Sequence, residues 1–210
     1  MIRYSHFPKL AFLVPAMLAG LILGQQTSSA QATEVVRVRG QVVSLNGPTL
    51  TIKSRAGEDV TVQLADKWAV GGVVKASMAD IKPGTFIGTA AVPQPGTSLR
   101  ALEVVVFPNA MRGTGEGSYA WDLKPESSMT NANITNAVDN VDGRTVTLAY
   151  KGGTKSVVIG ANTPIVTFGA ADKSDIKPGA NVFLAAQKQA DGSLVATRVA
   201  VGKDGLVPPM

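Results

Sequence analysis

The sequence predicts an all-β protein made of two small barrels in tandem, each with one short helical turn. Three observations predict it. The pentapeptide Asp80-Ile81-Lys82-Pro83-Gly84 returns as Asp175-Ile176-Lys177-Pro178-Gly179. Most of the chain reads as short runs with period-two alternation, separated by glycine-rich turns. The only helix-start signals are the four residues that end on the first aspartate of each pentapeptide, Ser77 to Asp80 and Asp172 to Asp175.

The repeat comes first because it sets the architecture. The two pentapeptides lie 95 positions apart, and that offset also carries Ser98-Leu99 onto Ser193-Leu194. Upstream the offset is 96: Thr49-Leu50-Thr51-Ile52 falls on Thr145-Val146-Thr147-Leu148, and Val62 to Asp66 on Val158 to Asn162. That alignment places a one-residue length difference between Trp68 and Ser77, in a loop. Apolar positions match better than polar ones, so the copies share a fold.

Val36 to Leu45 alternates as a strand, and Asn46-Gly47 is a hairpin signal because both residues tolerate positive φ. Leu50 and Ile52 mark the buried face of Thr49 to Lys53. Val60, Val62 and Leu64 form the next strand, and Val70 to Val74 a short apolar run broken by Gly71-Gly72. Ser77 caps one helical turn with Asp80 at its third position, and Asp172 and Asp175 repeat the device. Lys-Pro-Gly ends both turns. Ile81 and Ile176 are expected to plug the barrels. Phe86 to Ala91 and Leu99 to Phe107 close the first unit. The second copy runs through Ile134 to Val141, the Asp142-Gly143 turn, Thr145 to Tyr150, Lys155 to Ile159, Ile165 to Phe168, Val182 to Gln187 and Leu194 to Val201. Many short strands with one helical turn per unit fit OB-like barrels, with small flattened sandwiches as the alternative. The expected boundaries are a first domain over 33–107, a central loop over 108–133, a second domain over 134–201 and a tail over 202–210.

The start of the chain is expected to leave the protein. Arg3 and Lys9, the apolar run Leu10 to Gly24 and the small-residue site Ala30-Gln31-Ala32 form a secretory signal peptide over 1–32. The expected location is therefore the periplasm, with no membrane span after cleavage. Cleavage removes two basic residues from a formal charge of +5. The remaining surplus is small and scattered, which argues against a nucleic-acid partner. There is no cysteine, so an exported fold of this sequence rests on its core alone.

Most chemistries lack their residues. The single histidine, His6, goes with the signal, which removes imidazole and thiolate metal sites and Ser-His-Asp or Cys-His catalysis. Oxygen ligands for calcium or magnesium remain, but Asp139-Asn140-Val141-Asp142-Gly143 lacks calcium-loop spacing and reads as a hairpin turn. Gly113-Thr114-Gly115-Glu116-Gly117 lacks the final glycine and the following helix of a dinucleotide fingerprint. No catalytic, metal or cofactor residue is assigned, and the chain is expected to be no enzyme.

The central loop has no repeat partner. It holds Met111, Tyr119, Trp121, Leu123 and Met129 beside Arg112, Glu116, Asp122 and Glu126. A connection of this length without structure of its own is uncommon. Either it is a belt across both barrels, with Trp121 as a plug, or it forms a ligand site at their junction. The candidate ligand-binding residues are Arg112, Glu116, Tyr119, Trp121 and Asp122: Arg112 to pair an anion, Tyr119 and Trp121 as an aromatic wall.

These motifs resemble a group of exported proteobacterial proteins with tandem small OB-like domains of unassigned function. The likeness rests on Val38-Arg39-Gly40, Ala110-Met111-Arg112-Gly113-Thr114-Gly115-Glu116-Gly117, Trp121-Asp122-Leu123, Met129-Thr130-Asn131-Ala132 and Asp204-Gly205-Leu206. It spans the chain after the signal. Some members are labelled metal ABC transporter permeases, a role that needs several membrane spans. The resemblance implies a fold and no activity. The leading expectation is a non-enzymatic binding or assembly module for a small ligand or an envelope protein. An accessory of metal transport with an oxygen-ligand site, or a purely structural envelope protein, are the alternatives.

Overall fold

The alternating segments do become strands. The computed structural model describes residues 34–141 and 143–210, so the expected signal peptide and Asp142 lie outside the described residues. In chain order the strands are β1 (Val35–Asn46), β2 (Thr49–Ser54), β3 (Asp59–Lys75), β4 (Phe86–Pro93), β5 (Leu99–Val106), β6 (Gly117–Ala120), β7 (Ser128–Asn140), β8 (Gly143–Tyr150), β9 (Gly153–Gly160), β10 (Ile165–Gly169), β11 (Asn181–Lys188) and β12 (Leu194–Gly202). The protein is all-β, and three-residue 3-10 turns are its only helical elements among the described residues.

Two closed five-stranded barrels result. One runs β12-β11-β1-β2-β3 and closes by a parallel pairing of β12 with β3. The other runs β5-β4-β7-β8-β9 and closes by a parallel pairing of β5 with β9. β10 joins them, antiparallel to β3 and parallel to β5. Each barrel has OB-type connectivity, the fourth strand beside the first and the fifth beside the third. Those fourth and fifth strands come from the other half of the chain.

This exchange corrects the expected domains. The stretches 33–107 and 134–201 are not the barrels, because β4 and β5 complete the sheet of β7–β9, while β11 and β12 complete that of β1–β3. The physical cause is the length of β3. Val60 to Val74, expected as a strand and then a short apolar run broken by Gly71-Gly72, is one continuous strand that carries the chain out of its own barrel before the turn at Met78–Asp80. A Cβ at Gly72 would stand 2.6 Å from the Ala170 carbonyl oxygen; the glycine lets the two crossing segments touch.

The repeat register also needs correction. Leu50 pairs with Val62 and Val146 with Val157. The third strand therefore matches as Val62 to Val157 and Leu64 to Ile159, all four buried. The extra residue sits in the preceding hairpin, Arg55-Ala56-Gly57 against Lys151-Gly152, not between Trp68 and Ser77. The expected match of Val62 to Val158 would turn the wrong face inward, since a one-residue slip flips every side chain of a strand.

Each barrel has its own core. Leu50, Ile52, Val62, Leu184 and Val199 fill the first. Ile87, Val104, Ile134, Leu148 and Ile159 fill the second. The expected plugs are in place, with Ile176 in the first core and Ile81 in the second. Both capping boxes form: the Ser77 amide donates to Asp80 Oδ2 at 2.9 Å and the Asp172 amide to Asp175 Oδ2 at 2.8 Å. Gly84 and Gly179 then reverse the chain at φ +85° and +83°, a region that favours glycine. A third cluster, Val73, Val105, Val166, Ala200 and Met210 with Phe107, Phe168 and Phe183 against it, cements the barrels together.

The central loop is shorter than expected. Residues 128–133 belong to β7 and pair with β4, from Phe86–Asn133 to Ala91–Ser128. β6 folds back on the same stretch of β7 as a hairpin. The tail docks, with Pro208 and Met210 buried and the Pro208 carbonyl accepting from Arg55.

Candidate functional site

The outward faces of the two barrels carry equivalent rows of the repeat and line one cavity together. On the first, cross-strand rows run Arg37–Ala185 and Arg39–Phe183–Ala200 across β1, β11 and β12, with Arg198 on the same β12 face. On the second, the matching rows are Met129–Ala90–Glu103 and Asn131–Gly88–Val105. Between the faces lies an open cavity of about 730 Å³. Phe107, Phe168 and Phe183 line it, Arg37 and Arg198 stand on one wall, and Met111, Tyr119 and Trp121 border it from the central segment. Its surface is mainly apolar, the usual character of a small-molecule site.

Of the five expected residues, the structure brings Tyr119 and Trp121 to the cavity, with ring centroids 6.1 Å apart. Trp121 is half-buried and walls the cavity rather than plugging a core. The Arg37 guanidinium stacks over its ring at 4.0 Å, and Arg39 lies 5.9 Å away. Stacking of this kind satisfies the flat face of a guanidinium and leaves its edge donors free. The Trp121 Nε1 hydrogen is buried without an acceptor among the described residues. Asn131 Nδ2 reaches the Tyr119 hydroxyl at 3.3 Å and the Thr114 carbonyl at 3.1 Å. Burial pushes the Tyr119 phenol up, opposed by the charge of Arg37.

Asp122 borders the site as a strut. Arg39 grips it with a two-pronged ion pair at 2.8 and 3.1 Å and also donates to the main-chain oxygen of Met210. Burial works against charge on Asp122, but hydrogen bonds and charge from Arg39, with Arg37 adding, hold its carboxyl below the usual range.

Arg112 and Glu116 lie elsewhere. Arg112 donates to the Gly84 carbonyl at 2.7 Å and to Asn133 Oδ1. Glu116 accepts from the Lys151 amide at 3.0 Å. Both tie the central segment to the second barrel, and neither lines the cavity. The arginines that border the cavity are Arg37 and Arg198, not Arg112. The sequence signal for Arg37 was the alternation of basic residues with Val36 and Val38, which puts Arg37 and Arg39 on one outward face of β1.

Glu103 was not anticipated. Repeat register pairs it with Arg198, yet Arg198 is exposed while Glu103 is fully buried. Neither Glu103 carboxyl oxygen has a hydrogen-bond partner among the described residues. Burial raises its pKa to about 7 against the opposing charges of Arg39 and Arg55.

Among the described residues no three His, Cys, Asp or Glu side chains converge as a metal group, and no helix is long and apolar enough to cross a membrane. No protein-family model, curated protein or solved structure matches the chain.

Proposed function

We propose that the protein is an exported, non-enzymatic binding module that holds a small, largely apolar molecule between its two barrels. The observation that carries this reading is the cavity itself: an apolar space between two rigid cores, with an aromatic wall from the segment that has no repeat partner. A belt that only fixed the angle between barrels would gain most by filling that space, because interiors pack densely. Export is inferred from the first residues of the sequence.

A neutral fluorescent probe, phenylnaphthylamine, tests the reading. Trp68→Phe leaves Trp121 as the sole tryptophan of two. Saturable binding, with a change in Trp121 emission, is expected in that background. Ala185→Trp adds bulk at an exposed wall position and should abolish it. No saturable binding, or equal binding in both, would reject the proposal.

A further inference from the structure

The geometry points to a more specific ligand, an amphiphile with a single anionic head, its head held by Arg37 and Arg198 and its apolar body lying along Phe107, Phe168 and Phe183. This rests on the binding reading above and adds the chemical class. Three observations carry it. Two guanidinium groups border the cavity, and no carboxylate side chain lines it among the described residues. Neither Arg37 nor Arg198 forms an ion pair with a described residue, whereas the neighbouring Arg39 is fully occupied by Asp122 and Met210. Arg37 sits over the Trp121 ring with its guanidinium carbon 4.0 Å from the centroid, a contact that uses no N–H donor, and a planar carboxylate matches the donor fork of a guanidinium. A head group made only of acceptors answers all of these. A cationic or hydroxyl head answers none of the charge pattern. Opposite the arginines the walls are phenylalanine, valine and methionine, which suits an alkyl or aromatic body.

Competition against the bound neutral probe separates the possibilities. Dodecanoate, dodecanol and dodecyltrimethylammonium share one tail and differ in head charge. With the intact protein below micellar concentrations, dodecanoate should displace the probe at least about tenfold more tightly than dodecanol, and the ammonium compound least. In the Arg37→Gln, Arg198→Gln double variant the dodecanoate advantage should vanish while dodecanol is unchanged. Arg198→Glu, a change at an exposed position, should weaken dodecanoate and strengthen the ammonium compound, and it covers the case in which the double variant folds poorly. Equal displacement by all three heads, or preference for the ammonium, overturns the anionic class and leaves the binding reading intact. Failure of the neutral probe to bind at all overturns both.

Discussion

Ile81 and Ile176 stand at equivalent places in the repeat and plug opposite barrels, each sealing a core that both halves of the chain build. Neither half therefore owns a closed barrel. A fragment spanning 33–107 keeps β1–β3 and β4–β5, but the continuous β3 points the hairpin away. Two copies can exchange hairpins as the intact chain does internally, a low-cost route to dimers. Light scattering should find this fragment as a folded dimer at micromolar concentration. A folded monomer would mean that β3 bends at Gly71-Gly72 and that the exchange is optional.

Arg112 should matter to stability and not to binding. Its bonds to Gly84 and Asn133 anchor the central segment at an exposed site, so Arg112→Ala should cost about 1 kcal/mol in urea unfolding. Probe affinity should stay within a factor of two of wild type. A large loss of affinity with unchanged stability would return Arg112 to the site.

The strands were legible because their alternation records a buried face, and the two caps were legible because Ser77 and Asp172 stand three residues before an acid. Which hairpin joins which sheet was not, because the repeat is a local record and the exchange is a non-local pairing that both copies obey equally. β6 escaped notice because Gly117-Ser118-Tyr119-Ala120 is too short to show a period. Trp121 was visible as an aromatic without a repeat partner. Its neighbours Arg37 and Arg198, more than eighty and seventy positions away, become neighbours only when β1 and β12 share one barrel face.

Arg39 and Asp122 should respond unequally to truncation, although they form one ion pair. Asp122 is 44% exposed and Arg39 only 11%. Asp122→Ala leaves Arg39 with the main-chain oxygen of Met210 and should cost less than about 1 kcal/mol, as exposed ion pairs do. Arg39→Ala removes one of the two arginines that hold the tail, the other being Arg55, and one of the two charges acting on Glu103 as well. It should cost about 2 kcal/mol or more and expose the tail to carboxypeptidase digestion. Equal costs for the two would show that the tail contact contributes nothing.

Glu103 sets the direction of the pH dependence near neutrality. Its folded pKa, about 7, lies above the 4.5 of an unperturbed glutamate, so between these values the folded state holds a proton that the unfolded state has released. Stability from this group is complete below about pH 4.5 and is lost as pH rises through about 7, a fall of about 3 kcal/mol at full effect. The aspartates oppose it on the acid side. Hydrogen bonds from Ser77 lower Asp80, those from Lys203 lower Asp175, and those from Arg144 lower Asp139. Their contribution is present above the unfolded aspartate pKa near 4 and is lost as pH falls through the lowered folded values. Melting temperature should therefore peak on the mildly acidic side and decline from about pH 5 to pH 8. Glu103→Gln keeps the shape and cannot ionise, so it should melt higher than wild type at pH 8, match it near pH 5, and flatten the decline. A wild-type curve that rises across that interval, or a variant that falls as steeply, would mean that the Glu103 carboxyl ionises in the fold as readily as in water, paired with Arg39 and Arg55 rather than sealed from them.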